Sequence, residues 1–467
     1  MQITFSKMWR EHQYLTRLAI VIALIASSLS GQSLSHPRAV ALGGAFTAIP
    51  EGVFSVSSNP ANLAFPSTYN SYFYLGGIDW QLTNNFYSLL TSSKYGGEDL
   101  TVGELQQEFI KDLPDEGWRT NSSINVPMPI INFSKGNKAF TTNIIYTADY
   151  YISKPALDVI FGNWEKGVEY KTDLRIDAMT AIEYAYSMGI PYDNLAVGFS
   201  LKYYQGLGYY GLDPDSSSGL IMVNTDDFVL TGSGDFLFRQ SGAGRGVGVD
   251  IGLTYRDKSG LDIGFCVQNI AGLIKWNSRM GSSVLKFMGR QVKDGLLFKN
   301  SDLDLPFEGE SYRYQFAFRN INADKLFGGD SSYKEFFYSK IDTIAKDSRV
   351  FTTKLPLVLR FGMAKQMSDD LLVAMDFSTS FRDRFNYNQG WRLSMGVEYT
   401  YLPKTPFRFG LAVGDISGWE INLGSGLHLG FAHLDWAIGF HRGIWLHTAQ
   451  GFHFSLGSYF TGKHKTK

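Results

Sequence analysis

The sequence predicts an all-β fold, a transmembrane antiparallel β-barrel of about fourteen strands. Two observations carry that expectation: side chains that alternate in character, and connections that alternate in length. Over residues 391–399 the odd positions Trp391, Leu393, Met395, Val397 and Tyr399 are apolar. The even positions Arg392, Ser394, Gly396 and Glu398 are small or charged. Successive side chains of a strand point to opposite faces, so one face here is greasy and the other is not. The pattern repeats over 407–413, 421–429, 434–440 and 452–460, and upstream over 195–203, 247–255 and 261–267. The apolar faces carry large residues, whereas the opposite faces are too small and polar to make a soluble core. Lipid outside and a polar lumen inside produce that asymmetry.

Spanning segments are expected at 70–90, 122–134, 138–151, 173–188, 193–205, 245–256, 260–270, 355–364, 369–378, 390–400, 405–414, 419–431, 434–441 and 450–460. Asn84 and Asn85 in the first segment leave room for a hairpin and two more strands. Every second connection is a short turn, at 134–138, 189–194, 257–260, 365–370, 401–404 and 432–433. The connections on the other side are mostly longer, and 271–354 is the largest. Short periplasmic turns opposite long external loops are the outer-membrane arrangement. Within the large loop, 312–319 alternates like a strand and 332–347 reads as a short helix. An aromatic girdle at the two interfaces is expected from residues that include Tyr72, Tyr74, Tyr203, Tyr204, Tyr255, Trp276, Trp391, Tyr399, Trp436 and Tyr459.

Composition agrees. Of 467 residues 19% are charged and 15% aromatic, with 49 Gly against 14 Pro. A net charge of −1 gives no basic field for nucleic acid. The single cysteine, Cys266, excludes an internal disulfide and thiolate metal sites, and is read as a small packing residue. Residues 1–31 read as a cleaved signal peptide: Lys7, Arg10 and Arg17 precede the apolar run 18–26, and Ser27, Ser28, Ser30 and Gly31 follow. The apolar run 18–26 is too short to span as a helix and no unbroken stretch elsewhere is long enough, so a crossing requires a closed sheet.

Two stretches near the start of the mature chain carry a resemblance. They are Arg38-Ala-Val-Ala-Leu-Gly-Gly-Ala-Phe-Thr-Ala48 and Ser57-Ser-Asn-Pro-Ala-Asn-Leu63. Together with the strands at 197–203, 248–255, 267–270 and 355–362 they resemble the long-chain fatty-acid transporter (FadL-like) superfamily of outer-membrane barrels. The similarity is closest to the type IX secretion shuttle and uncharacterised branches. The resemblance implies a fourteen-stranded barrel with an N-terminal plug in its lumen, and it maps the plug motif onto Gly43, Gly44, Asn59, Pro60 and Ala61. The implied organisation is a signal peptide at 1–31, a plug at 32–69, a barrel at 70–460 and a basic periplasmic tail at 461–467. The acidic pair that precedes the motif in the transporters is missing here, where Glu51 stands alone.

By parity, Glu183, Lys202, Asp250, Asp262, Arg360, Asp376, Arg392, Glu398, Arg408, Asp435 and His441 face the lumen. They read as an ion-paired lining, or as a path for a polar or amphipathic solute. His428, His441 and His453 share that parity but do not make a metal site. No hydrolase elbow, P-loop or His-Glu-x-x-His occurs, so no enzyme, metal or cofactor is expected. The partners expected are outer-membrane lipid and either a hydrophobic small molecule or a secreted protein. Passage of a small molecule predicts an apolar pocket beside 59–61; a scaffold or shuttle predicts a filled lumen and exposed apolar loops.

Overall fold

Why the chain closes on itself follows from how its strands pair. The computed structural model describes residues 36–65, 67–98, 100, 103–129, 131–213, 215–223, 229–277, 311–322, 337–343, 350–382, 384–385, 390–414 and 417–462. The signal-peptide reading and most of the 461–467 tail lie outside these residues.

The wall begins with β1 (Ser71–Asn84), β2 (Trp118–Pro127, continued by Asn132–Lys135), β3 (Lys138–Ile152), β4 (Leu174–Tyr192) and β5 (Leu195–Leu212). It continues with β6 (Gly244–Arg256), β7 (Leu261–Trp276), β8 (Val358–Ser368, with Phe351–Lys354 above it), β9 (Leu371–Ser380) and β10 (Gly390–Tyr399). The last strands are β11 (Phe407–Gly414), β12 (Gly418–Leu429), β13 (Ala432–His441) and β14 (Gly451–Gly462). Each pairs antiparallel with the next, and β14 returns to β1 from Ser71–Gly462 to Thr83–Gly451. A closed sheet leaves no open edge for hydrocarbon to strand. All fourteen segments expected from alternation are wall strands. β1 runs unbroken to Asn84, so no extra hairpin forms there.

The alternation predicts the two faces as well. Leu393, Met395, Phe407, Leu411, Val413, Leu423, Leu434 and Trp436 point outward and are exposed, while Asp376, Glu398, Arg408, Glu420 and Asp435 are buried inside. An arginine in place of outward-facing Leu411 is expected to cost about 2–4 kcal/mol of folding stability, the penalty for a cation at mid-bilayer depth. Equilibrium unfolding in lipid vesicles measures it; no loss would place Leu411 outside the hydrocarbon.

Three expectations are corrected. Within 332–347 the described residues form a strand, Phe337–Thr343, rather than a helix, because it pairs with Tyr312–Asn322. That pair extends a sheet beside the wall made by Val229–Ser241, Ser218–Val223 and Glu169–Lys171. Loops expected at 152–172 and 206–244 thus hold strands, and 91–121 holds the helices Leu89–Tyr95 and Glu104–Asp112. Finally, Tyr72, Tyr74, Tyr204, Trp276 and Tyr459 are not girdle residues: each is at most 3% exposed and faces inward. They fill the lumen, Tyr72, Tyr74 and Tyr459 against the N-terminal segment and Tyr204 and Trp276 in a second apolar cluster.

Candidate functional site

The N-terminal segment 36–65 sits inside the barrel and is built from short, locally capped pieces. Pro37 opens the helix Pro37–Ala41, where its fixed φ suits the first turn and its missing N–H is not needed. Gly43 and Gly44, at φ 69° and 90°, then turn the chain in a conformation other residues adopt poorly. Asn59 caps the 3-10 helix Pro60–Ala64: its Oδ1 accepts from Ala61 N–H at 3.0 Å. The same side chain donates through Nδ2 to Thr47 O (3.1 Å), Leu253 O (3.0 Å) and Thr254 Oγ1 (2.8 Å), so one amide folds the segment and pins it to β6.

Glycines on the lumen face let the segment touch the wall. A β-carbon at Gly252 would lie 1.9 Å from Asn59 Oδ1, and one at Gly198 would lie 2.1 Å from Ala61 N. There is no space for a methyl group between Ala61 and β5. The apolar pocket expected beside 59–61 is replaced there by direct backbone contact.

Charge holds the other end. Arg38 makes a two-pronged pair with Glu398 (2.7 and 2.6 Å) and reaches Glu51 at 2.6 Å. Glu398 also pairs with Arg408 (2.6 Å), which pairs with Asp435 (2.7 Å), itself an acceptor for Tyr459 O–H at 2.8 Å. Burial pushes the His36 imidazole, stacked on Phe54, down to about 3, so it stays neutral. On β9 the Asp376 carboxylate accepts from the N–H groups of Phe46 (3.1 Å) and Thr47 (3.0 Å) and from Thr47 Oγ1 (2.5 Å). Arg392 joins Glu420 at 2.5 Å and Gly43 O at 3.3 Å.

The residues singled out in the sequence thus divide. Asp376, Arg392 and Glu398 grip the segment directly, and Asp435 lies 3.9 Å from His36 and is tied through Arg408 to Glu398. Lys202, Asp250 and Glu183 form a separate group in the wall, at 2.7 and 3.6 Å from Lys202 Nζ. His441 lies 3.5 Å from Glu420, and Arg360 stands on β8 opposite Cys266 and Ser378. Parity alone did not single out Arg38, Glu51, Thr47 or Asn62. Arg38 and Thr47 lie inside the quoted glycine-rich motif, so their presence there was the available signal.

Higher in the lumen, Ile145, Met179, Tyr204, Tyr209, Ile274, Trp276, Leu355 and Phe385 form an apolar cluster. Arg384, next to Phe385, bonds to Asp177 on β4 and to Tyr209 O–H on β5 at 3.0 Å. The wall ladder is interrupted between β1 and β2, as it is also between β7 and β8 at 269–272 and 355–357. The ladder of β1 and β2 pairs Tyr74 with Asn132 and resumes at Asp79 with Asn125, leaving 75–78 and 126–129 unpaired with each other. Gly76 and Gly77 stand on one side, Pro127 and Pro129 on the other, and the prolines lack the N–H a ladder would need. Asn132 holds the bulge, donating to Met128 O at 2.9 Å and Thr142 O at 3.1 Å. The plug's 3-10 helix Gly52–Ser57 packs on β1, β2 and β3 behind it.

Among solved structures the chain is similar to the Ralstonia pickettii toluene transporter TbuX, 14% identical with TM-score 0.49, over 92% of this chain and 99% of that one. It is similar also to a Pseudomonas aeruginosa FadL homologue, 12% identical with TM-score 0.46, over 93% and 100%. A third is the P. putida toluene transporter TodX, 11% identical with TM-score 0.42, over 94% and 100%. No curated protein matches the sequence. Residues 60–440, from the plug proline through β13, match the family described as a family of unknown function, DUF5723, and the chain belongs to that family.

Proposed function

We propose that this protein passes a hydrophobic or amphipathic small molecule across a bacterial outer membrane, with segment 36–65 as the plug that must move. The observation that carries this reading is the interrupted ladder between β1 and β2. Unpaired backbone facing hydrocarbon is costly and is tolerated where it lines a passage or is covered by protein. Here Pro127 and Pro129, which have no N–H to leave unmet, lower that cost at the place the plug covers. A solute in the lumen would leave sideways there once the plug shifts. In the same reading the chain reaches the outer membrane by a cleaved signal peptide.

The test is uptake of radiolabelled decanol and toluene by Gram-negative host cells, whose lipopolysaccharide leaflet slows passive entry. Asn62 and Thr254 touch across the plug and wall, Thr254 Oγ1 donating to Asn62 Oδ1 at 2.7 Å. A disulfide between cysteines at these two positions, with Cys266 replaced by alanine, is expected to abolish uptake and dithiothreitol to restore it. Uptake no greater than in cells without the barrel would remove the transport reading. The second reading, a scaffold or secretion shuttle, draws on the sheet built by Val229–Ser241 and Tyr312–Asn322 beside the wall. It predicts that deleting that sheet abolishes function while plug locking leaves it intact.

A further inference from the structure

The lumen wall is two-sided along single cross-strand rows. One row runs Asn422, Gly439, His453, Gln81, Ser123 and Thr147 across β12, β13, β14, β1, β2 and β3. It then meets Met179 on β4 and Tyr209 on β5, both in the apolar cluster. The row on one side is Glu420, His441, Gly451, Thr83, Asn121 and Asp149, and on the other Gly424, Ala437, Ser455, Asp79, Asn125 and Ile145. A polar field therefore abuts an apolar one at the same level.

Within the polar field the charges are matched. His453 meets Asp79 at 3.0 Å, Arg119 meets Asp149 at 2.6 Å and Arg392 meets Glu420 at 2.5 Å. The neutral groups are different. Both amide atoms of Asn121 and of Asn422, and the hydroxyls of Thr83, Thr147 and Ser455, are buried without a hydrogen-bond partner, and each of these residues is 0% exposed. Buried polar groups in folded proteins are almost always paired, with protein, ordered water or a ligand, so these donors and acceptors are places where a ligand's polar head can hydrogen-bond. These amides and hydroxyls are neutral, and the carboxylates beside them already hold cations, so an ionic head would find its countercharge taken.

We infer that this lumen patch binds the neutral polar head of an amphipathic solute, an alcohol or amide, whose apolar part lies on the Met179, Tyr209 and Trp276 side. This rests on the transport reading above and names its substrate class. It sets a hydroxyl- or amide-bearing molecule ahead of a bare hydrocarbon and ahead of a carboxylate.

The experiment compares uptake of decanol, decanamide, decanoate and undecane by the same host cells, for wild type, the double variant Asn121→Leu/Asn422→Leu, and Thr147→Val. A site built to hydrogen-bond a ligand's O–H or N–H rejects analogues that lack it. Wild type is therefore expected to take up the alcohol and amide at least about fivefold faster than undecane and decanoate, one hydrogen bond's worth. In the double variant the advantage of alcohol and amide over undecane should vanish, and Thr147→Val should reduce it in part. The heat-dependent gel shift of a folded barrel confirms that each variant is assembled. Equal rates for all four solutes, or a preference for decanoate, overturns the inference and leaves transport standing. No uptake above cells lacking the barrel removes both.

Discussion

Valine at Gly252 is expected to unseat the plug and open the barrel. The new β-carbon would lie 1.9 Å from Asn59 Oδ1 and 3.1 Å from Pro60 Cδ. Asn59 cannot swing aside cheaply, since its amide makes the hydrogen bonds to Thr47, Leu253, Thr254 and Ala61 that define the turn. Forcing extra atoms into such a contact costs about 1–3 kcal/mol. Losing even one of those bonds adds about 1 kcal/mol. The sum shifts the docked plug by roughly 30-fold or more toward release. The wall should survive, because Gly252 sits in extended β6 backbone where a β-branched residue is favoured. Single-channel recording should show conductance close to that of a 36–65 deletion, and trypsin should gain access to Arg38. Gly208→Ala is the control, because nothing lies within 4 Å of a β-carbon there. A Gly252→Val barrel as closed as wild type would mean that the plug is not seated by this contact.

The same glycines show what the sequence made legible. Parity placed Gly198, Gly252 and Gly396 on the lumen face, and their smallness read as polar-side filler. In the structure they are the seats of the plug, a role that depends on a segment more than a hundred residues away in sequence and leaves no local pattern. Tyr72 and Tyr74 misled for the opposite reason. The first residues of their strand are apolar on both faces because the inner face there packs on Phe54 and Phe46, so residue type suggested a girdle where the plug makes a core. The strand at Phe337–Thr343 was hidden because its definition comes from pairing with Tyr312–Asn322, and composition alone favoured a helix. Wall strands were legible because lipid imposes a period of two on every one of them, whatever its partner.

The ion network at the plug's first helix makes a second large effect expected, from Arg38→Met. Methionine keeps most of the side chain's volume and removes the charge. Glu51, 7% exposed, then loses the cation it pairs with, and Glu398 keeps only Arg408. Breaking a buried pair from one side costs about 3–5 kcal/mol, because the surviving charge stays desolvated. Since Glu398 retains a partner, most of that penalty should fall on Glu51. Adding Glu51→Gln to Arg38→Met should therefore restore much of the closed state, although it removes another charged group. Open probability measured for the wild type, both single variants and the double variant gives the coupling directly. A double variant more open than Arg38→Met would show that the pair contributes attraction rather than avoidance of an unpaired charge. A restored closed state would instead show that the unpaired Glu51 charge, rather than the loss of Arg38's attraction, is what frees the first helix, with Asn59, Asp376 and the glycine contacts sufficient to seat the plug.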